Sequence, residues 1–139
     1  MGTTHQEILI NRPADVVWNA IRDFHELGWA PNVVSEVTRV GDNAGDQPGA
    51  GRVLNGVFHE TLQSIDDDAM TFSYSIDDGP SPVSKDEVSN YIGRVSVESS
   101  GGGTRVEWTS SWEQNDEPVH DFCHGIYIAL LNDMKKNLE

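Results

Sequence analysis

From Thr104 to Gln114 the chain alternates strictly. Val106, Trp108, Ser110 and Trp112 share one face of an extended strand, and Arg105, Glu107, Thr109 and Ser111 share the other. A similar period of two runs through "HQEILIN" near the start, then through "VVSEVTRVG", "RVLNG", "VFHETLQSI", "AMTFSYSI" and "VSNYIGRVSVES". The segments between them, among them "DNAGDQPGAG", "DDD", "DDGPSPVSKDE" and "SGGG", carry the glycine, proline and aspartate of turns. This pattern predicts a meander of antiparallel hairpins.

Two segments change period. In "RPADVVWNAIRDFHEL", Pro13 suits a first helical turn, Asp15 complements the helix dipole, and Val17, Ala20, Ile21 and Phe24 share a face. A short helix is expected there, stopped near Gly28 and Pro31. The closing segment "NDEPVHDFCHGIYIALLNDMKKN" predicts a long helix. Asn115 or Asp116 can cap it, Glu117 and Pro118 open it, and Lys135 and Lys136 sit at its negative end. Its apolar stripe runs through Val119, Phe122, Ile126, Leu130 and Met134. With no internal repeat or linker, residues 1–139 read as a single domain; Leu138 and Glu139 match a common vector-derived ending and carry no functional weight.

Composition narrows the partners. Nine basic against 23 acidic residues give a net charge of −14, which repels phosphate backbones and anionic headgroups. Neither a nucleic acid nor a stable membrane association is expected. No apolar run approaches the roughly 20 residues of a membrane span, and the start lacks the cationic and apolar stretches of a signal peptide. One cysteine, Cys123, cannot form an internal disulfide, which fits a reducing, cytoplasmic location. A monomer or weak dimer without cofactor is expected.

His120-Asp121-x-x-His124 differs from the zinc-protease pattern H-E-x-x-H by one methylene. The pair falls beside the apolar stripe, no third ligand is apparent, and Asp shortens the reach of a general base, so a metal is rejected. "GDNAGDQPGAG" lacks the lysine and following helix of a phosphate loop. "DDD" and "DDG" lack a twelve-residue calcium loop, Ser81 and Ser84 have no nucleophile elbow, and Cys123 and His124 are adjacent on a helix and so do not face each other.

The order of elements resembles the helix-grip fold of the START-like, or SRPBCC, superfamily, which includes polyketide cyclases/dehydrases, pollen-allergen-type proteins and plant hormone receptors. The resemblance rests on "ILINRPADVVWNAIRDFHELGWAPNV", "GAGRVL", "HETLQSIDDDAMTFSYSI" and "TRVEWTSSWE" with the closing helix. It implies an α+β fold in which a curved antiparallel sheet of about seven strands wraps the C-terminal helix, with a short helix after strand 1. It also implies a broad internal cavity for a hydrophobic ligand. Strand parity names candidates to line it: Phe58, Glu60 and Leu62; Phe72, Tyr74 and Ile76; Tyr91, Gly93 and Val95. Trp108 and Trp112 join them from the last strand, and Phe122, Ile126 and Leu130 from the helix. In the hormone-receptor branch, positions matching Glu60, Tyr74, Tyr91 and Phe122 face the pocket; that branch's gating loops are replaced here by "VLNGVF" and "DGPSPV".

Glu60 carries the most chemistry. A carboxylate facing an apolar cavity has its pKa raised by desolvation unless a donor partners it, and Tyr74 and Tyr91 are candidate donors. Three readings stay open. One is binding or transport of a small hydrophobic molecule, such as a lipid, isoprenoid or polyketide-like compound, without catalysis. Another is a cyclase/dehydratase-type enzyme using Glu60 with Tyr74 or Tyr91 as acid and base. The third is an interaction module whose cavity is filled by its own aromatics.

Overall fold

The computed structural model describes residues 1–139. Its elements are β1 (Gly2–Ile10), α1 (Ala14–Ile21), β2 (Val37–Val40), β3 (Gly51–Leu54), β4 (Phe58–Asp66), β5 (Thr71–Asp78), β6 (Ser89–Ser100), β7 (Gly103–Glu113) and α2 (Asp116–Leu138). The strands form one antiparallel sheet in the order β1-β7-β6-β5-β4-β3-β2. Only the β1–β7 neighbours are distant in sequence, so the rest is the expected meander. Register shifts at Leu62/Ser64 and Ser89/Ile92 mark irregularities of the kind that bend a sheet. The concave face buries Leu62, Phe72, Tyr74, Tyr91, Val95, Trp108 and Trp112, and α2 lies in it.

Both helices differ in detail from their sequence patterns. The first ends at Ile21 rather than near Leu27. Asp23 Oδ1 accepts from the His25 N–H, and the Phe24 N–H donates to the Gly45 carbonyl, so these amides leave the helical ladder. Phe24 still packs inward. In α2 the buried face is Val119, Cys123, Tyr127, Leu130, Leu131 and Met134. The expected stripe is therefore rotated: Phe122 and Ile126 are only half-buried. Asn115 adopts a left-handed conformation before α2 without a side-chain cap, and Asp116 instead meets the Met1 ammonium.

The predicted strand "VVSEVTRVG" is shortened to Val37–Val40. The Val33 and Val34 amides both donate to the Ala30 carbonyl, which coils the chain before β2. Residues 27–36 thus form a strap rather than an edge strand. At the far end, the Leu138 carbonyl accepts from Arg12, and the Glu139 carboxylate accepts from the Asn11 N–H and pairs with Lys135.

Candidate functional site

Strands β3, β4, β5 and β7, the strap and α2 surround a cavity of about 50 Å³. That is space for a few water molecules or a fragment of several heavy atoms, against several hundred Å³ for a drug-sized ligand. The broad hollow implied by the resemblance is mostly filled. Tyr127 reaches from α2 to the sheet, its hydroxyl 2.8 Å from that of Tyr74 and 2.5 Å from that of Tyr91. Trp108 Nε1 donates to the Tyr74 oxygen at 3.0 Å, and the Trp108 ring stacks on Tyr127. Burial pushes all three tyrosine hydroxyls well above their ordinary pKa, and their mutual repulsion or the Glu60 charge adds to the shift. They are neutral phenols in one hydrogen-bonded run.

Of the residues read from sequence, Phe58, Glu60, Tyr74, Ile76, Trp108, Ile126 and Leu130 line the cavity. Leu62, Phe72 and Val95 are buried in the core away from it, and Tyr91 stacks on Trp112 at 5.5 Å. Gly93 is covered: it pairs across the sheet with Tyr74, whose ring and hydroxyl occupy the space a Cβ would take. Phe122 stacks on Phe58 rather than facing the cavity directly. His120 is exposed beside Asp121, and His124 Nδ1 bonds Gln6 Oε1 at 2.9 Å, with the two rings stacked.

Glu60 does not pair with a tyrosine. Its partner is Arg52, whose Nε donates to Glu60 Oε1 at 2.8 Å while Nη2 lies 2.7 Å from the same oxygen. Arg52 Nη1 donates to the Phe24 carbonyl at 3.0 Å, and the guanidinium sits 3.7 Å from the centre of the Phe24 ring. Both side chains are almost fully buried, at 5% and 6% exposed. Tyr74 turns its hydroxyl to Trp108 Nε1 and the Tyr127 hydroxyl and makes no bond to Glu60. Burial pushes the Glu60 carboxyl upward, and Arg52 opposes that shift. Glu60 Oε2 has no protein donor. Trp112 Nε1 is the only fully occluded side-chain nitrogen or oxygen without a partner, so Oε2 retains open space, and the open space beside Glu60 is the cavity.

Arg52 was missed because the turn before β4 has three residues. Asn55 and Gly56 both have positive φ and, with Val57, place Leu54 opposite Phe58 and Arg52 opposite Glu60. The two-residue turn that Asn-Gly usually signals would instead have set Leu54 opposite Val57 and Arg52 opposite His59. Leu27, Val33, Val34, Leu54, Asn55, Cys123 and Tyr127 also line the cavity without having been read from sequence. Burial raises the Cys123 thiol to about 11, so it stands as an uncharged wall.

The strap closes one side. Leu27 and Val34 face both the cavity and a surface groove running from His25 to Val37, so the strap separates cavity from solvent there. It is fastened twice. Asp133 on α2 accepts from the Asn32 backbone N–H at 2.8 Å and from Asn32 Nδ2 at 2.7 Å. Asn55 Oδ1 accepts from the Ser35 N–H and hydroxyl and from the Glu36 N–H, while its Nδ2 donates to the Val33 carbonyl. Desolvation alone raises the Asp133 carboxyl, but the bonds from Asn32 and Asn137 outweigh it and hold it below its ordinary value. A depressed carboxyl contributes stability above its unfolded pKa of about 4 and loses it as pH falls through the folded value. Acidification below about pH 4 is therefore expected to lower the hydrogen-exchange protection of the Asn32 amide, relative to its intrinsic rate at each pH, before global unfolding, and Asp133→Asn should remove that pH step. Protection that stays constant in the wild-type protein would contradict the clamp.

A curved antiparallel sheet gripping a long C-terminal helix, with a small apolar cavity between them, defines the helix-grip class. The model of the polyketide cyclase / dehydrase and lipid transport family matches residues 1–139, and the chain belongs to that family. Among solved structures, a protein from Nitrosospira multiformis is 34% identical, with a TM-score of 0.96 over 99% of this chain and 96% of that one. A Thermobifida fusca protein is 24% identical, with a TM-score of 0.83 over 99% and 93%. Ara h 8.0201 shares the fold at 19% identity, with a TM-score of 0.69 over 97% and 98%. No curated protein matches the chain by sequence. No helix is long and apolar enough to cross a membrane.

Proposed function

We propose that this protein binds a small, mainly apolar molecule in the cavity beneath the strap and does so without catalysis. The observation that carries the reading is a buried ion pair set in an apolar wall. Twelve of the fifteen lining side chains are apolar or aromatic, and Arg52 and Glu60 lie among them although a charged pair is expensive to bury. The volume favours a compact ring or short chain; a full-length lipid or isoprenoid would require the strap to move. A cyclase-type reaction is less well supported, because the tyrosines are engaged with one another and Glu60 is held by Arg52, which leaves no free acid–base pair. The strap side suits uptake and release, which is what a carrier or sensor needs.

Thermal unfolding tests the proposal. A ligand that binds only the folded state stabilises it by about 2.7 kcal/mol at a hundred times its Kd. Small ring compounds should raise the Tm of the wild-type protein, and Ile126→Phe, which narrows the cavity from the half-buried side of α2, should abolish the rise while remaining folded. A rise of equal size in Ile126→Phe would place binding elsewhere.

A further inference from the structure

The lining also states what kind of small molecule fits, an inference that rests on the ligand-binding reading above. Three lining residues are neither apolar nor aromatic: Arg52, Asn55 and Glu60. Asn55 is exposed, and its amide faces the strap, where Oδ1 accepts from Ser35 and Glu36 and Nδ2 donates to the Val33 carbonyl. Arg52 directs Nε and Nη2 at Glu60 Oε1 and Nη1 at the Phe24 carbonyl. The hydroxyls of Tyr74 and Tyr127 are tied to each other, to Trp108 Nε1 and to Tyr91. The polar atom left without a protein partner is Glu60 Oε2, an acceptor on a side chain more than nine-tenths buried.

We propose that Glu60 Oε2 is a specificity-determining acceptor that selects an uncharged ligand carrying one hydrogen-bond donor, a hydroxyl on a compact apolar body. A donor placed there completes the coordination of a carboxylate already paired through its other oxygen. Such charge-assisted bonds are the stronger class. A bare hydrocarbon leaves the oxygen desolvated and unpaired. A carboxylate ligand meets like charge at Oε2, and three of the five guanidinium N–H groups that would attract it are already directed at Oε1 and the Phe24 carbonyl.

Phenol, toluene and benzoate test this, because they share one ring and differ in the group presented. Binding to the wild-type protein at neutral pH is followed by chemical-shift titration of the cavity methyls. Phenol is expected to bind at least about tenfold more tightly than toluene, and benzoate more weakly than either. In Glu60→Gln the phenol advantage should fall to within about threefold, since the amide can turn a donor to the cavity. If toluene or benzoate matches phenol on the wild-type protein, the cavity still binds ligands but the selectivity is overturned. A tenfold phenol advantage that survives in Glu60→Gln also overturns it. If none of the three binds, the ligand-binding reading itself falls. The wild-type ranking decides the matter even where Glu60→Gln fails to fold.

Discussion

Arg52→Met is expected to destabilise the fold by about 3–5 kcal/mol, the loss typical when one member of a buried ion pair is removed. The reason is specific to this site. Glu60 is 6% exposed, its charge is balanced by Arg52 alone, and burial already pushes its carboxyl upward. Without the guanidinium the carboxyl is pushed further, so folding takes up a proton. A carboxyl whose folded pKa lies above its unfolded value near 4.3 loses stability as pH rises between those two values. The variant should accordingly recover stability on acidification toward pH 4.3. The double change Arg52→Met with Glu60→Met should restore most of the loss at neutral pH, since apolar side chains of similar volume replace buried pairs at little penalty. Urea denaturation of the two single variants and the double variant measures the coupling. A loss below about 1 kcal/mol in Arg52→Met would mean that water reaches the pair.

The second large effect is expected at Gly93. A Cβ built there would fall inside 3.0 Å of the Tyr74 ring and hydroxyl. Tyr74 has nowhere to retreat, since Phe24 and Phe72 pack around it and its hydroxyl is fixed by Trp108 and Tyr127. Gly93→Ala should therefore cost about 3 kcal/mol, at the upper end for overpacking a core. Near-ultraviolet circular dichroism should also change, because the Trp108–Tyr127 stack would be displaced. Replacing Tyr74 by a smaller residue in the Gly93→Ala background should recover part of the stability, and a Gly93→Ala protein as stable as wild type would show that the tyrosine run is looser than its geometry indicates.

The architecture was readable because it depends on period. Strict alternation in β7 and the glycine-rich turns placed the meander, and the whole-chain resemblance supplied the grip around α2. Parity alone also turned Glu60 inward, as its burial shows. The site was harder to read because its chemistry depends on register and rotation. Arg52 becomes a partner of Glu60 only because the turn before β4 takes three residues, Asn55 to Val57, rather than the two that Asn-Gly usually signals. On α2, Phe122 and Ile126 make the more hydrophobic stripe, yet Cys123 and Tyr127 are the buried pair, because the phenol of Tyr127 finds two hydroxyl partners across the core. The strap was misread as strand because Val33 and Val34 have strand propensity; bonds from Asn32 to Asp133 and from Ser35 to Asn55, both partners lying outside the segment, together with turns onto Ala30, decide its shape.

The hidden carboxylate and the gap beside it are either a receptacle or a packing flaw, and methyl-resolved NMR separates the two. With Leu54, Ile76, Ile126 and Leu130 labelled, added phenol should produce saturable shifts concentrated on those four residues. Shifts that never saturate, or that appear on exposed Leu9 and Ile128 instead, would contradict a ligand site inside this fold.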